Sequence, residues 1–185
     1  MPRYPPDIEQ QREAWRTRVR RRPVHIEKPG PGQESVWDYP RPPRVETVPD
    51  RLSVEFAGTV LAETVHGLRV LETSGPPVYY FPRIDVQVEY LESTLLRTLC
   101  EWKGYAQYWS VRVGTRCAEN AVWSYPDPEP EYESLRDHLA FSASMTDACY
   151  VGRHRVVPQP GQYYGGWITP NVVGPFKGGP STEDW

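Results

Sequence analysis

Cysteine is scarce in this sequence, and its spacing excludes two kinds of site. The chain of 185 residues has three cysteines, Cys100, Cys117 and Cys149, and no two lie close together. An odd number of distant cysteines does not form a disulfide framework. Because neither a Cys-x-x-Cys pair nor a His-x-x-x-His pattern is present, we predict no structural zinc and no other metal. The glycine-rich loops that bind phosphates are missing too, so no cofactor is predicted.

Long apolar runs are also missing. No stretch is long enough to cross a membrane, and the N-terminal "MPRYPPDIEQ" lacks the apolar segment of a signal peptide. We therefore expect no membrane association. A reducing cytoplasm is the expected location, in keeping with the absence of a disulfide framework.

The sequence has no overall excess of positive charge, which argues against nucleic acid as a partner. The net charge is −3, but residues 1–28 hold 8 of the 21 Lys and Arg against 4 of the 24 Asp and Glu. A basic arm therefore precedes an acidic body. We expect this arm to lie on its own domain or on a partner copy, with RNA or DNA binding as a weaker alternative.

Proline and aromatic residues, by contrast, are abundant, and they define the fold class. The 21 Pro disfavour long helices, and the 12 Tyr and 7 Trp favour strands. A helix is predicted in "PPDIEQQREAWRTRVRRRP", with Ile8, Trp15 and Val19 on one face. Beyond residue 45, short alternating segments predict a mainly β fold of compact, coiled antiparallel sheets, β-tent or barrel-like, with extended terminal arms.

Three regions are predicted along the chain. Residues 1–44 form the basic helix and a Pro-rich arm without regular structure, and residues 45–157 form the β-rich domain. The Gly- and Pro-rich residues 158–185 are expected to form a flexible tail. Within the domain, strands are predicted at 78–81 and near 86–91, among others.

The stretch "TLCEWKGYAQYWSV" contains the two candidate catalytic residues, Cys100 and Lys103. A cysteine acts as a nucleophile in its thiolate form, which a nearby lysine stabilises if the chain turns between them. Gly104 permits such a turn. No histidine lies near in sequence, so no catalytic triad is indicated. The alternative is that Cys100 is a small buried residue at the end of a strand.

Five further residues are candidates for binding a ligand. Aromatic side chains with a polar edge often line small-molecule pockets, although core packing is their ordinary role. Asp85 follows Pro82 in a turn and would pair with Lys103 if the two lay close together; otherwise it caps the turn. The predicted ligand-binding residues are Tyr80, Asp85, Tyr108, Trp123 and Tyr125.

In this order and spacing, "VYYFPRIDV", "TLCEWKGYAQYWSV" and "AVWSYPDPEP" resemble a bacterial family of domains of unknown function, numbered 427. The resemblance covers about residues 54–151 and implies a β-tent-like fold. Related β-tent proteins, such as B-type methionine sulfoxide reductases, carry zinc on paired cysteines that this sequence lacks. The family also has a nucleotidyltransferase-like label, for which no motif is present here. The resemblance assigns motif positions to Tyr80, Phe81, Pro82, Asp85, Thr98, Cys100, Lys103, Gly104, Tyr108, Trp123, Tyr125 and Pro126.

Two functions remain open from the sequence. The first is a small-molecule binding domain, with or without enzymatic activity, in which Lys103 holds an anionic or carbonyl-bearing ligand in an aromatic-lined cleft. The second is a structural or interaction protein that forms a homo-oligomer through its terminal arms.

Overall fold

The computed structural model describes residues 4–18, 22–161, 163–182 and 185. Its one α-helix, α1, spans Ile8–Thr17, and most of the remaining regular structure is short strands. The strands, in chain order, are β1 (Glu34–Ser35), β2 (Arg44–Thr47), β3 (Leu52–Phe56), β4 (Thr59–Thr64), β5 (Leu68–Leu71), β6 (Val78–Pro82), β7 (Leu91–Cys100), β8 (Gly104–Val113), β9 (Arg116–Ser124), β10 (His138–Phe141), β11 (Ala148–Val151), β12 (His154–Arg155), β13 (Val157–Pro158), β14 (Trp167–Ile168) and β15 (Val172–Val173).

Two antiparallel sheets form the body of the domain. The larger has seven strands in the order β2-β5-β6-β10-β9-β8-β7, and the smaller has four in the order β12-β11-β3-β4. The strands described here do not close into a barrel. The prediction of a mainly β fold with antiparallel sheets and an N-terminal helix is therefore confirmed, in an open form.

The main core lies between these sheets, and the alternation of the sequence explains it. Along β3, Leu52, Val54 and Phe56 are buried while Ser53 and Glu55 are only partly covered, as expected for a strand with one face on the core. Trp167, from the C-terminal segment, enters the same core and is fully buried between Tyr79 and Phe81.

Both terminal segments fold back onto this body. In α1, the Arg12 Nε donates a hydrogen bond to the Glu101 carbonyl oxygen at 2.5 Å. The same guanidinium lies 3.3 Å from the Glu129 carboxylate. Of the two expected positions for the basic helix, the chain's own domain is therefore the one observed. Val19, which was predicted on the same helix face as Ile8 and Trp15, lies outside the described residues.

Several local predictions were wrong. The helix is shorter than the predicted stretch: it ends at Thr17, since Arg18 is extended. Residues 88–90 form a 3-10 turn before β7, in place of the strand predicted near 86–91.

The two segments expected to lack regular structure also differ from the prediction. β1 in the Pro-rich arm pairs in parallel with β15 in the tail, and β13 pairs with β14. The C-terminal segment is therefore packed, because its few apolar and backbone groups find partners in distant parts of the chain.

Candidate functional site

The hairpin between β7 and β8 positions the two candidate catalytic residues. Cys100, the last residue of β7, pairs with Gly104, the first residue of β8, so residues 101–103 form the connecting loop. Gly104 has φ +98°, a conformation that residues with a Cβ rarely adopt. The predicted turn at Gly104 therefore exists, and it brings Cys100 and Lys103 to the same end of the hairpin.

A cavity of about 360 Å³ lies against this end of the sheet. Six of the seven predicted site residues line it: Tyr80, Cys100, Lys103, Tyr108, Trp123 and Tyr125.

The register of the sheet explains why the aromatic residues meet. Tyr80 on β6 is paired with Ala140, Ala140 with Trp123, and Trp123 with Tyr108. Residues paired across antiparallel strands present their side chains on the same face. The aromatic side chains therefore form one row across four strands, with the small Ala140 leaving space in the middle. The rings of Tyr108 and Trp123 lie 6.4 Å apart.

Asp85 is the exception among the predicted site residues. It does not line the cavity: it lies in a 3-10 turn after β6, and its Oδ2 accepts a hydrogen bond from the Thr64 hydroxyl at 2.7 Å. The bridge between Ala62 and Val86 holds this turn against β4, in the other sheet. The structure thus gives Asp85 a turn-stabilising contact and does not pair it with Lys103.

Lys103 is the buried cation of the cavity. Only 7% of its surface is exposed, and its Nζ lies 5.6 Å from the centre of the Tyr125 ring. Within the described part of the chain, the ammonium has neither a hydrogen bond nor an ion pair. A buried ammonium loses hydration, and a cation–π contact replaces only part of it.

Two effects act in opposite directions on the pKa of Lys103. Burial acts to lower this pKa, but attraction to the ionised forms of Cys100, Tyr125 and Tyr80, and to Glu72, raises it well above the ordinary value. Burial also raises the pKa of Tyr80 to about 12 and that of Tyr125 well above its usual range. At neutral pH the site therefore presents an ammonium beside neutral phenols, an arrangement suited to an anionic group.

The terminal segments supply walls that the sequence did not predict. Trp15 comes from α1, Arg41 from the Pro-rich arm, and five more lining residues come from the C-terminal segment: Gln159, Tyr163, Tyr164, Gly165 and Lys177. The sequence contained one signal for these walls: two tyrosines and a lysine lie within the Gly-rich tail, and a simple flexible linker does not need such residues.

Trp15 lies among the cations of these segments. The Arg41 guanidinium lies 4.9 Å and the Lys177 Nζ 5.7 Å from the centre of its ring. Arg41 is held in place by Glu72, 3.1 Å away. Lys177 donates a hydrogen bond to the Trp185 carbonyl oxygen at 3.0 Å. Burial, together with repulsion from Arg41, lowers the pKa of Lys177.

A comparison with known protein families finds one that matches this chain. The sequence profile of a family described as "Domain of unknown function (DUF427)" matches residues 44–152, more than half of the chain. The chain belongs to this DUF427 family. The matched segment carries Cys100, Lys103 and the aromatic row, whereas Trp15, Arg41 and the walls from the C-terminal segment lie outside it. No curated protein matches the sequence.

Two further findings concern the described residues as a whole. They include no helix long and apolar enough to cross a membrane. Nor do they bring together three or more His, Cys, Asp or Glu side chains in a geometry that would hold a metal ion.

Proposed function

We propose that this DUF427 protein binds a small anionic or carbonyl-bearing molecule in the aromatic cavity, with Lys103 as the group that holds the ligand. The observation that carries the proposal is that the ammonium of Lys103, a residue only 7% exposed, lines the cavity and makes no hydrogen bond or ion pair within the described residues. Burial removes hydration from the ammonium, and its neighbours supply no hydrogen bond in return. A ligand carboxylate or phosphate would replace the lost hydration with charge-assisted hydrogen bonds.

The aromatic walls of the cavity indicate what the ligand carries besides its anionic or carbonyl group. Tyr80, Tyr108, Trp123 and Tyr125 offer aromatic surface next to the cation. Pockets that combine apolar walls with a few polar groups orient small molecules and bury most of their surface. The proposed ligand therefore has an anionic or carbonyl group directed at Lys103 and a flat or apolar part against the aromatic row.

A thermal-shift comparison of matched ligands tests the proposal. Benzoate and phenyl phosphate carry the anionic group, and benzamide is an uncharged match for benzoate. We expect at least one anion to raise the Tm of the wild-type protein more than benzamide does. At a concentration one hundred times its Kd, a ligand stabilises the fold by about 2.7 kcal/mol.

The Lys103→Met variant removes the charge while keeping a side chain of similar length. We expect it to weaken anion binding by about 10- to 100-fold, since hydrogen bonds to charged groups contribute about 1.5–3 kcal/mol. Lys28→Met changes an exposed lysine of the arm and is the matched control. Equal responses of wild type and Lys103→Met to every compound would contradict the proposal.

The second candidate, self-association through the terminal arms, is less well supported by the arrangement of the described residues. Trp15 and Lys177 face the cavity of their own chain, and Trp37 is buried against the C-terminal segment, where its Nε1 donates to the Pro175 carbonyl oxygen. The arms thus have a role within one chain that needs no partner copy.

A further inference from the structure

The three cysteines occupy three different environments. Cys117 is exposed, and Cys149 is buried in the main core next to the Thr146 hydroxyl, 3.2 Å away. Burial raises the pKa of Cys149 to about 12, so that thiol is unreactive. Cys100 is half-buried and, of the three, is the one that lines the cavity.

Cys100 also lies beside the unpaired cation. Lys103 lies in the hairpin loop that follows Cys100, and both residues line the same cavity. Of the interactions that raise the pKa of Lys103, the attraction between Lys103 and Cys100 is the largest. A thiolate is the nucleophilic form of cysteine, and a neighbouring cation stabilises it.

No histidine base accompanies Cys100 in the cavity. All four histidines of the chain lie in the described residues, and none of them lines the cavity. Acyl transfer through a cysteine is typically assisted by an adjacent base such as histidine. Addition of a thiolate to an activated carbon–carbon double bond needs no such base and no leaving group.

We propose that Cys100 is a nucleophile that adds to a small, anionic α,β-unsaturated carbonyl compound held by Lys103. In this step the sulfur forms a bond to the β-carbon, and the π electrons of the double bond move to the α-carbon. The α-carbon then takes up a proton, which replaces the one that the thiol released to solvent. No oxidant or reductant is needed. The inference rests on the proposed function, because Lys103 must first hold the anionic group.

An anionic aromatic acceptor and its neutral counterpart test the idea. The probes are trans-3-benzoylacrylate and the corresponding uncharged amide, with the site and rate of addition followed by peptide mass spectrometry. We expect benzoylacrylate to modify Cys100 faster than it modifies Cys117. We also expect Lys103→Met to slow its addition at Cys100 by about tenfold or more, with little effect on the amide. The rate at Cys117 is the internal control, since it should not depend on Lys103.

Two results would overturn the inference: modification of Cys100 no faster than Cys117, or an unchanged Cys100 rate in Lys103→Met. The Cys100→Ser variant keeps Lys103 but cannot form the thioether, so it distinguishes failure of the covalent step from failure of anion binding. If Cys100→Ser and wild type are both stabilised by benzoate but Cys100 is not modified selectively, anion binding stands and the covalent step is wrong. If Lys103→Met changes neither benzoate binding nor labelling, both proposals fail.

Discussion

Gly104 shows how a single residue positions the candidate site. Its φ of +98° closes the three-residue loop that carries Lys103, and this conformation is unfavourable for any residue with a Cβ. The space around it is also restricted, because an added Cβ would lie 2.9 Å from the Tyr4 hydroxyl. The backbone conformation therefore requires glycine here, and an added Cβ would in addition displace the Tyr4 hydroxyl.

We expect Gly104→Ala to lower the free energy of unfolding by about 2–3 kcal/mol, from backbone strain and overpacking. Gly114→Ala is the matched control: Gly114 also has a positive φ, +57°, but no atom lies within 4 Å of its added Cβ. That variant should lose about 1 kcal/mol. Urea denaturation measures both values, and equal losses would show that the contact with Tyr4 has no energetic weight.

At the residue scale, six of the seven predicted site residues lie around one cavity, because four of them are in strands of one sheet and Lys103 and Tyr125 directly adjoin two of those strands. Asp85 could not be placed this way. Its motif directly precedes the motif of Lys103 along the chain, but its turn is attached to β4 through Ala62 and Thr64. Which sheet holds a turn depends on contacts between distant segments, which local sequence does not specify.

At the element scale, the edge strand β2 is attached to its neighbours by shared ion pairs. Arg69 on β5 contacts Glu34 and Glu46, with the Arg69 Nη2 2.8 Å from the Glu46 Oε2. Arg44 adds a contact of 2.7 Å to the same carboxylate. Partial burial acts to raise the pKa of Glu46, but the hydrogen bonds from Arg69 and Arg44 lower it overall.

This shift predicts a pH-dependent effect of Glu46→Gln. A lowered pKa in the folded state stabilises the fold fully above the ordinary value of 4.5, and the stabilisation is lost as the pH falls through the folded pKa. At pH 7, Glu46→Gln should reduce stability by about 0.5–1 kcal/mol, a small value because the pair is partly exposed. The difference in stability between Glu46→Gln and wild type should shrink when urea denaturation is repeated at a pH below the folded-state pKa of Glu46. Glu89→Gln, at an exposed carboxylate, is the control, and a difference for Glu46→Gln that does not change with pH would contradict the account.

At this scale, the strand predicted at 78–81 is present as β6, whereas the segment predicted as a strand near 86–91 makes an isolated bridge, between Val86 and Ala62, before the 3-10 turn at 88–90. Val86 and Val88 alternate with polar residues, yet the Val86 N–H donates to the Arg83 carbonyl oxygen within a local turn. Because strands are stabilised by their neighbours, composition alone did not distinguish this 3-10 turn from a strand.

At the scale of the whole molecule, the terminal segments complete both the core and the cavity. The sequence did not predict that these segments are folded, because a Gly- and Pro-rich stretch has no periodic pattern and its contacts are with residues far away in the chain. Trp167 lies between Tyr79 and Phe81, and its Nε1 donates to the Phe141 carbonyl oxygen at 2.9 Å. Four residues earlier, Tyr163 lines the cavity and is 78% exposed.

The two roles of this segment can be separated by two substitutions. Trp167→Ala removes a fully buried side chain that does not line the cavity, so we expect a loss of about 3–5 kcal/mol in the free energy of unfolding. Tyr163→Ala removes an exposed aromatic wall, so stability should change by less than about 0.5 kcal/mol while the affinity for the anionic ligand falls several-fold. Urea denaturation and ligand titration at a temperature where both variants are folded measure the two effects. If Tyr163→Ala left the affinity unchanged, the ligand would not contact Tyr163, and this wall of the cavity would have no part in binding.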